Sequence, residues 1–427
     1  MMMLSRAPGS GGKLKSSPED FVVEEITDNG IVLETGKHYT PTELGIEECS
    51  EDEAKFTAFV MQKRDWNTTQ ALAAVAARLH RTIKSASSAG TKDRLSVSTQ
   101  LCTIFGVTPK ALEGVHLKDI SINGAWRARE KIRMGQLKGN RFTVTIREPG
   151  PAENVRGVDR ELGGVFPNYF GHQRFGARDN NADIGIDIMR GDFDSAAMRY
   201  LTDPVNETNV DAMEARKRLQ EDHDFARALE YFPQYLKYER MLLGHLAKWP
   251  TDCAGALRRL PRNLLLMFVH AVDSRIFNME VEQRVRGGLT QPVDGDRVCG
   301  ADSFGFPNMA GAEPRGMEGN GAGGGRRFIV GNVIGYDSEP NESEEDIMER
   351  LGITKEMFKV RGMPELNCRG STRVLFAPYI GMSYELGSEI RIRFSLPAGS
   401  YATVLLEEFT KEGAGNLYGT AYPPPLA

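Results

Sequence analysis

A carboxylate between two cations is the first feature of this chain that could carry out chemistry. Residues 89–94 read Ala-Gly-Thr-Lys-Asp-Arg, so Asp93 stands between Lys92 and Arg94, beside the turn that Gly90 allows. Flanking cations lower the pKa of a carboxyl group and keep it ionised, which suits an aspartate that acts as a nucleophile or stabilises charge. The competing interpretation is a solvated surface turn, and this segment alone favours that interpretation.

Two further clusters combine glycine, aromatic and basic residues. Residues 135–142 provide a tight turn into a strand, where Arg141 could meet phosphate and Phe142 could equally belong to the core. Residues 166–176 interleave four aromatic rings with a histidine and Arg174. Rings beside cations stack on unpaired bases of single-stranded RNA, although the same composition also suits an aromatic hinge between two domains.

The composition is that of an ordinary globular protein, but its charge is unevenly distributed. The chain has 427 residues, of which 40% are hydrophobic and 26% are charged, so we expect two or three domains. The formal net charge is −5, yet residues 81–147 contain 13 Lys or Arg and 4 Asp or Glu, a local net charge of +9, which leaves −14 for the rest. The basic segment permits binding of a polyanion, although the same charges could lie on separate solvated faces.

Several classes of protein are disfavoured by what the sequence lacks. No apolar stretch approaches the roughly 18 residues of a membrane span, and we expect no secretory signal. The five cysteines are never spaced as CxxC, so we expect neither a disulfide framework nor a zinc cage, and we expect the reducing cytoplasm. Because no HxxxH, GxSxG or GxxxxGK[ST] motif occurs, a zinc hydrolase, an α/β hydrolase and a nucleotide-driven motor are disfavoured.

Hydrophobic periodicity predicts two ends of mixed α/β style around a helical middle. The predicted strands are Phe21–Ile26, Ile31–Glu34, Lys55–Gln62, Arg141–Arg147 and Glu389–Leu396, and the predicted helices at the ends are Thr68–His80 and Ser400–Lys411. In the middle, long helices are predicted at 231–248 and 263–285. The glycine-rich residues 315–325 lack the Lys-Ser/Thr pair of a phosphate loop and predict a surface loop, and the prolines 423–425 predict an extended tail.

Six sequence blocks, all in one order, together resemble the TruD family of tRNA pseudouridine synthases, in its archaeal branch. They are Lys15–Glu25, the Asp93 segment with Gln100, the clusters at 135–142 and 168–176, the block 270–278, which resembles an H-A-x-x-S-x-x-F-N helix, and 394–403. The resemblance extends from Lys15 to about Lys411. Ser88 departs from it, because the family often has an aromatic residue there, and we expect a change in packing only.

The resemblance implies a mixed α/β fold with a mainly antiparallel central sheet, interrupted by a helix-rich α/β insertion, the TRUD domain. We expect a catalytic domain formed by residues 1–162 and 388–427, of which the second part adds a closing strand and helix. The insertion is expected at residues 163–387. A cleft between the two domains would be the RNA site.

The resemblance also implies a reaction, the isomerisation of a uridine in tRNA to pseudouridine, usually at position 13, without cofactor or metal. Asp93 would be the nucleophile, attacking either C1′ of the ribose or C6 of the base, with the cations at Lys92 and Arg94 keeping it ionised. The residues that match the pocket of the target base are Phe21, Asn140, Phe142 and Phe394. Candidates that support the active site or bind RNA are Lys15, Lys92, Arg94, Arg141, Asn168 and Arg174.

The rival hypothesis is a protein that binds tRNA without catalysis, for example as an RNA chaperone. Such a protein would use the same basic segment and aromatic residues, but the carboxylate of Asp93 would weaken its binding to phosphate by repulsion. We therefore expect an enzyme that acts on tRNA as a monomer, without a membrane and without an obligatory protein partner.

Overall fold

The structure, a computed structural model, describes residues 1–314 and 326–412, so the predicted loop at 315–325 and the predicted tail at 423–425 lie outside the described residues. The strands are, in chain order, β1 (Phe21–Ile26), β2 (Phe56–Arg64), β3 (Ala86–Ser88), β4 (Val97–Phe105), β5 (Ile120–Ala128), β6 (Gly139–Ile146), β7 (Val165–Pro167), β8 (Arg297–Gly300), β9 (Glu313–Pro314), β10 (Arg327–Val333), β11 (Ser371–Val374), β12 (Phe376–Pro378), β13 (Ile380–Leu386) and β14 (Ile390–Pro397).

The α-helices are concentrated between β6 and β11. In chain order they are α1 (Thr68–Arg78), α2 (Pro109–Glu113), α3 (Asn154–Leu162), α4 (Asn181–Arg190), α5 (Phe193–Thr202), α6 (Val210–Asp222), α7 (Phe225–Tyr231), α8 (Lys237–Leu246), α9 (Cys253–Leu257), α10 (Arg262–Arg286), α11 (Glu342–Leu351) and α12 (Ala402–Thr410). Within the described ranges, none of the helices has the length and apolar character needed to cross a membrane.

The central sheet has eight strands that come from both ends of the chain. Its order is β13-β14-β6-β1-β4-β2-β5, and β3 pairs with β4 outside this path. The neighbours β1 and β4 run parallel, whereas the other pairs of this sheet are antiparallel. The predicted mixed α/β fold with a mainly antiparallel central sheet is therefore confirmed.

Alternating side chains fix which face of the sheet is covered. In β14, Ile390, Ile392 and Phe394 are buried, whereas Arg391 and Arg393 between them are exposed. The buried side chains belong to one core with residues of α3 and α12, so these two helices pack on that face. A strand whose side chains alternate in this way has only one register that buries its apolar set, which fixes how β14 pairs with β6.

The insertion carries its own sheet and most of the helices. Its four-stranded sheet has the order β11-β10-β8-β9, a separate pair joins β12 to β7, and a second large core lies among the helices. Strand β13 falls within the range predicted for the insertion, 163–387, yet it pairs with β14 in the central sheet. We therefore propose that the insertion ends near residue 379, before β13.

The two parts of the molecule share a hydrophobic core. Val144 of β6 and Ile392 of β14 lie in the same buried cluster as Phe277 of α10, Phe328 of β10 and Phe376 of β12. Burial of apolar surface is the main favourable contribution to folding. The packing between the insertion and the central sheet therefore belongs to the interior of the molecule.

Two predicted elements differ in the structure for local reasons. The helix predicted at 231–248 is divided into α7 and α8, because Pro233 disfavours a helical conformation at Phe232, which is extended at φ −64° and ψ 129°. The strand predicted at Ile31–Glu34 forms only one bridge, between Ile26 and Val32. β6 pairs with all of β1, and β4 pairs with Val22–Glu24, so only the last residues of β1 remain free to pair with this segment. There the N–H of Leu33 donates to the carbonyl of Glu25 at 2.9 Å.

Replacement of Ile392 by alanine tests the shared core. Ile392 has no exposed surface and is paired with Val144 and Tyr384. We expect Ile392→Ala to lower the free energy of unfolding by about 2–5 kcal/mol, because it leaves a cavity in a closed core. Chemical denaturation followed by circular dichroism measures the change. The exposed Arg391→Ala is the control and should stay within about 0.5 kcal/mol of the parent; equal midpoints for both variants would contradict the assignment.

Candidate active site

Asp93 lies in the loop between β3 and β4, which we call the Asp93 loop (residues 89–96). Hydrogen bonds from the body of the domain hold this loop in place: the backbone N–H of Lys92 donates to Thr68 Oγ1 at 2.8 Å, and Gln100 Nε2 donates to the carbonyl of Gly90 at 3.1 Å. The Thr68 hydroxyl in turn donates to Gln100 Oε1 at 2.9 Å. These bonds fix the backbone on the N-terminal side of the carboxylate.

Two lysines from neighbouring elements meet at Asp93. Lys15, just before β1, donates from Nζ to Asp93 Oδ2 at 2.8 Å, and its side chain is 6% exposed whereas that of Asp93 is 46% exposed. Lys63, on β2 and fully buried, donates to the backbone carbonyls of Asp93 and Trp66 at 2.9 and 2.6 Å. The Ser96 hydroxyl also donates to the Asp93 carbonyl, at 2.8 Å. The carboxylate is thus fixed in position and still open to solvent on one side.

These contacts set the charges in the site. Partial burial alone would raise the pKa of the Asp93 carboxyl, but the ion pair with Lys15 and the charge of Lys63 outweigh it and hold the pKa below its ordinary value. Burial lowers the pKa of Lys63 to about 8, although the charge of Asp93 acts against that change. At neutral pH the site therefore holds an ionised carboxylate beside two ammonium groups.

The neighbours of Asp93 in sequence do not surround its carboxylate. Lys92 is buried and pairs with the buried Glu25, Nζ to Oε2 at 2.7 Å, while Arg94 is exposed and pairs with Asp65, Nε to Oδ1 at 3.1 Å. The cations that keep Asp93 ionised are therefore Lys15 and Lys63, not Lys92 and Arg94 as expected.

The three predicted aromatic residues form one layer, which we call the aromatic face: Phe21, Phe142 and Phe394. Phe142 stacks on Phe394 with ring centroids 5.4 Å apart and meets the edge of Phe21 at 6.0 Å. The ammonium of Lys15 lies 4.2 Å from the centre of the Phe21 ring, so the aromatic face and Asp93 share this lysine. Phe394 has no exposed surface and Phe142 is 7% exposed, so Phe394 acts as the support of Phe142.

Asn140 adds an unused hydrogen-bond acceptor beside this face. It lies two residues before Phe142 on β6, on the same side of the strand, and is in register with Glu25 on β1 and Leu396 on β14. Its Oδ1 atom is buried and accepts no hydrogen bond. An acceptor without a partner is costly in a protein interior, so this oxygen is suited to a donor supplied by a ligand.

Two predicted residues have structural contacts away from Asp93. Arg141 points to the opposite face of β6 from Phe142, where it donates to Glu24 at 2.7 Å and to Glu34 at 3.0 Å. Asn168 is buried, and its side chain donates to the carbonyl of Val374 at 2.9 Å. Both side chains are therefore engaged inside the protein, and neither reaches the carboxylate of Asp93.

The cluster around Phe170 lies at the connection from the central sheet to the insertion. The guanidinium of Arg174 lies 5.2 Å from the Phe170 ring, and its Nε is buried without a partner. Arg373 lies closer, at 4.4 Å, and donates to the backbone and side-chain oxygens of Asn168 and to the carbonyl of Gly399. This cluster is the interdomain joint that the aromatic composition allowed.

Sequence reasoning missed Lys63, Glu25 and Thr68. Lys63 follows the apolar segment 58–61 of β2, and a lysine that continues a buried strand is a signal of a buried charge with a dedicated partner. Glu25 stands at the end of the matched block Lys15–Glu25 without a suggested role. For Thr68, the sequence predicted only a position near the start of α1, whose N-cap is Asn67.

Removal of the Lys15 ammonium tests the electrostatics of the site. We expect Lys15→Met to raise the pKa of Asp93, because the partial burial of the carboxyl is then opposed by Lys63 alone. The pKa is measured by titration of the carboxyl ¹³C resonance in protein labelled at aspartate, with Asp93→Asn to assign the signal. The control is Lys13→Met, whose side chain is 60% exposed and pairs with Glu148 on the surface. An unchanged pKa in Lys15→Met would contradict the geometry.

Comparisons with known proteins agree along the whole chain. A sequence profile of the family described as tRNA pseudouridine synthase D (TruD) matches residues 1–409. The chain is 34% identical over 432 residues to a protein of Methanosarcina acetivorans named "Probable tRNA pseudouridine synthase D", covering 94% of this chain and 93% of the relative. It is 36% identical over 366 residues to the protein of that name from Methanopyrus kandleri, with 82% and 84% covered.

The fold is also similar to that of a solved structure. The crystal structure of a protein from Methanosarcina mazei, described as "Putative tRNA pseudouridine synthase D (TruD)", superposes with a TM-score of 0.75 at 30% sequence identity, covering 97% of this chain and 96% of that chain. The profile spans nearly all of the chain, and relatives above 30% identity cover more than two thirds of it. This chain therefore belongs to the TruD family of tRNA pseudouridine synthases, as its six sequence blocks predicted.

Proposed function

We propose that this protein isomerises uridine at position 13 of tRNA to pseudouridine, with Asp93 as the nucleophile. The observation that carries the proposal is the carboxylate of Asp93, held ionised 2.8 Å from the Lys15 ammonium and open to solvent, beside the aromatic face. An ionised carboxylate is a competent nucleophile, and a rigid loop holds it in one orientation. The uridine substrate in tRNA follows the activity named for its relatives, and position 13 follows the family resemblance.

The reaction needs a nucleophile and a place for the detached base. Asp93 attacks C1′ of the ribose or C6 of the uracil, and the bond between N1 and C1′ breaks. The uracil turns within the pocket and its C5 joins C1′. The bond to Asp93 breaks and restores the carboxylate, the C5 proton leaves and N1 gains a proton. No atom is lost from the RNA, so neither a cofactor nor a redox partner is required. The ammonium of Lys15 stabilises the negative charge of the carboxylate before it attacks and after it is released.

The base pocket is proposed on the side of the sheet that carries Phe142 and Asn140. The target base must leave its stack in the RNA, and contact with an aromatic ring offsets part of that cost, with about 1–3 kcal/mol for each stacked base. Phe142 offers the accessible edge of the aromatic face, and Phe21 and Phe394 support it from both sides. The unpartnered Oδ1 of Asn140 accepts the N3–H of the uracil.

The RNA is proposed to lie across the exposed side of the Asp93 loop. Arg94 in this loop is 64% exposed, and the connection between β5 and β6 carries the exposed Lys131 and Arg133. That connection touches the Asp93 loop, because the N–H of Gly135 donates to the carbonyl of Ala89 at 2.7 Å. Cations at this position neutralise phosphates and draw the backbone toward the carboxylate. We further propose that the protein acts as a monomer in the cytoplasm, where its five cysteines form no disulfide bond.

Replacement of the nucleophile gives the decisive test. We expect Asp93→Asn to abolish product formation on an unmodified tRNA transcript with uridine at position 13, because the amide cannot attack carbon. Pseudouridine is mapped by chemical probing, and tRNA binding is measured in parallel. The matched control is Asp52→Asn, which changes an exposed aspartate outside the site and should keep full activity.

Each outcome of this test has a distinct meaning. Product from the parent and the control, with none from Asp93→Asn although it binds tRNA, supports the enzyme and its nucleophile. Binding by all three proteins without product in any indicates a tRNA-binding protein without catalysis. Product at another uridine overturns position 13, and equal product from parent and Asp93→Asn overturns the role of the carboxylate.

A second substitution tests the base pocket. We expect Asn140→Ala to lower kcat/KM about 3- to 10-fold, because it removes one hydrogen bond to a neutral group of the base. Steady-state rates of pseudouridine formation measure the effect, and thermal unfolding verifies that the fold is intact. Thr143→Ala changes the opposite face of the same strand and is the control. Equal losses of kcat/KM in Asn140→Ala and Thr143→Ala would show that Asn140 contributes only to the structure of β6 and does not bind the base.

A further inference from the structure

Three metal-ligating side chains meet in the insertion, outside the active site. His270 and Asp273 lie one turn apart on α10, so their side chains share a face of that helix, and Cys368 lies in the segment before β11. His270 Nδ1 is 2.9 Å from Asp273 Oδ2 and 3.7 Å from Cys368 Sγ, and the sulfur is 3.8 Å from Oδ2. All three donor atoms fall within 4.8 Å of one another.

This geometry matches that of a tetrahedral metal ion. With zinc bonds of about 2.3 Å to sulfur and 2.0–2.1 Å to nitrogen and oxygen, a tetrahedral angle places sulfur and nitrogen about 3.6 Å apart, and nitrogen and oxygen about 3.3 Å apart. The observed separations are within a few tenths of an ångström of these values. Imidazole and thiolate are also the ligands that favour zinc over magnesium or calcium. We propose that His270, Asp273 and Cys368 bind one Zn²⁺ ion.

The surroundings of the group already hold the ligands in position. Asp273 is buried, and the hydroxyl of Ser274 lies 3.0 Å from its Oδ1, the oxygen that does not face His270. The backbone N–H of Cys368 donates to the carbonyl of Phe358 at 3.0 Å, which fixes the segment that carries the sulfur. Such outer contacts orient ligands in metal sites. Little rearrangement is therefore needed on binding.

The charge of the group and its access to solvent suit a metal ion that takes one further ligand. The bound form has a thiolate and a carboxylate opposite Zn²⁺. Both the thiol proton and the proton that His270 Nδ1 shares with Asp273 Oδ2 are released to solvent. Arg174 acts on Asp273 as a nearby cation. The bound site would therefore hold two negative charges, on Cys368 and Asp273, and three positive charges, from Zn²⁺ and Arg174. In residues 1–314 and 326–412, no fourth His, Cys, Asp or Glu joins the group. The side chain of His270 is 39% exposed, so water reaches the fourth position.

The ion would serve as a tether rather than as a catalyst. It would join α10 to the segment that leads into β11, five residues before Arg373. Arg373 binds Asn168, near the start of the insertion, and Gly399, which follows β14 of the central sheet. The proposal does not depend on the pseudouridine synthase reaction, because its ligands take no part in the active site.

Cobalt binding to the full-length protein provides the test. Protein treated with a chelator is titrated with Co²⁺ at neutral pH, and its absorption is recorded. We expect about one equivalent to produce the visible bands of tetrahedral cobalt and a thiolate-to-metal charge-transfer band, both of which Zn²⁺ then removes. Cys368→Ser should lose the charge-transfer band, whereas Cys253→Ser, which replaces another buried thiol of the insertion, should keep it.

Thermal unfolding distinguishes a built site from incidental binding. We expect Zn²⁺ to raise the unfolding temperature of the parent and of Cys253→Ser, but not of Cys368→Ser or His270→Ala. If Cys368→Ser does not fold, the proposal is tested by the cobalt spectrum of the parent and by the effect of Zn²⁺ on the unfolding temperature of His270→Ala. A folded parent without a charge-transfer band, or a band that persists in Cys368→Ser, overturns the proposal and leaves the group as hydrogen-bonded side chains without a metal.

Discussion

The ion pair between Lys15 and Asp93 is the interaction on which the arrangement of the site depends. A carboxylate in a partly closed position loses hydration, and without a compensating cation its pKa would rise. Lys15 precedes β1, Lys63 lies on β2 and Asp93 precedes β4, and the sheet order places these strands side by side as β1-β4-β2. The parallel pairing of β1 with β4 brings the starts of both strands to one end of the sheet, where Lys15 and Asp93 meet. The exception in a mainly antiparallel sheet is therefore the pairing that assembles the site.

A second charge pair, which is buried, stabilises the Asp93 loop. Lys92 and Glu25 are both buried, and two charges taken out of water are stable only if each is paired and hydrogen-bonded. Glu25 meets this condition with its other oxygen, which accepts the N–H of Leu101 at 2.9 Å. The residue next to Asp93 thus anchors the Asp93 loop to β1, while Lys15 and Lys63 control the charge of the carboxylate. Anchoring and electrostatics are divided between different lysines.

The sequence predicted elements well where one local rule dominates. The alternation in β14 and β6 and the amphipathic pattern of α10 predicted these elements within one or two residues, because burial of one face decides them. The helix at 231–248 was wrong because hydrophobic spacing was given more weight than Pro233. Within the site, block matches pointed to Asp93, Lys15 and the aromatic residues, whose contacts the structure now describes. Lys63 and Glu25 were missed because their roles depend on which strands are neighbours, and strand order cannot be read from periodicity.

A buried cation also orients the insertion relative to Asp93. Burial lowers the pKa of Arg373 to about 10, so the guanidinium remains charged at neutral pH. Its hydrogen bonds reach Asn168, after β7, and Gly399, between β14 and α12, so a single side chain of β11 links the start of the insertion to the segment that follows the central sheet. Without the guanidinium, the side-chain oxygen of the buried Asn168 would lose its partner, which costs more than the loss of a solvated contact. In the proposed reaction a uridine must meet the carboxylate in one orientation, and a fixed position of the insertion relative to the central sheet would serve this. The proposed tether at Cys368 would act on the same segment, so the charged joint and the metal would restrain the insertion together.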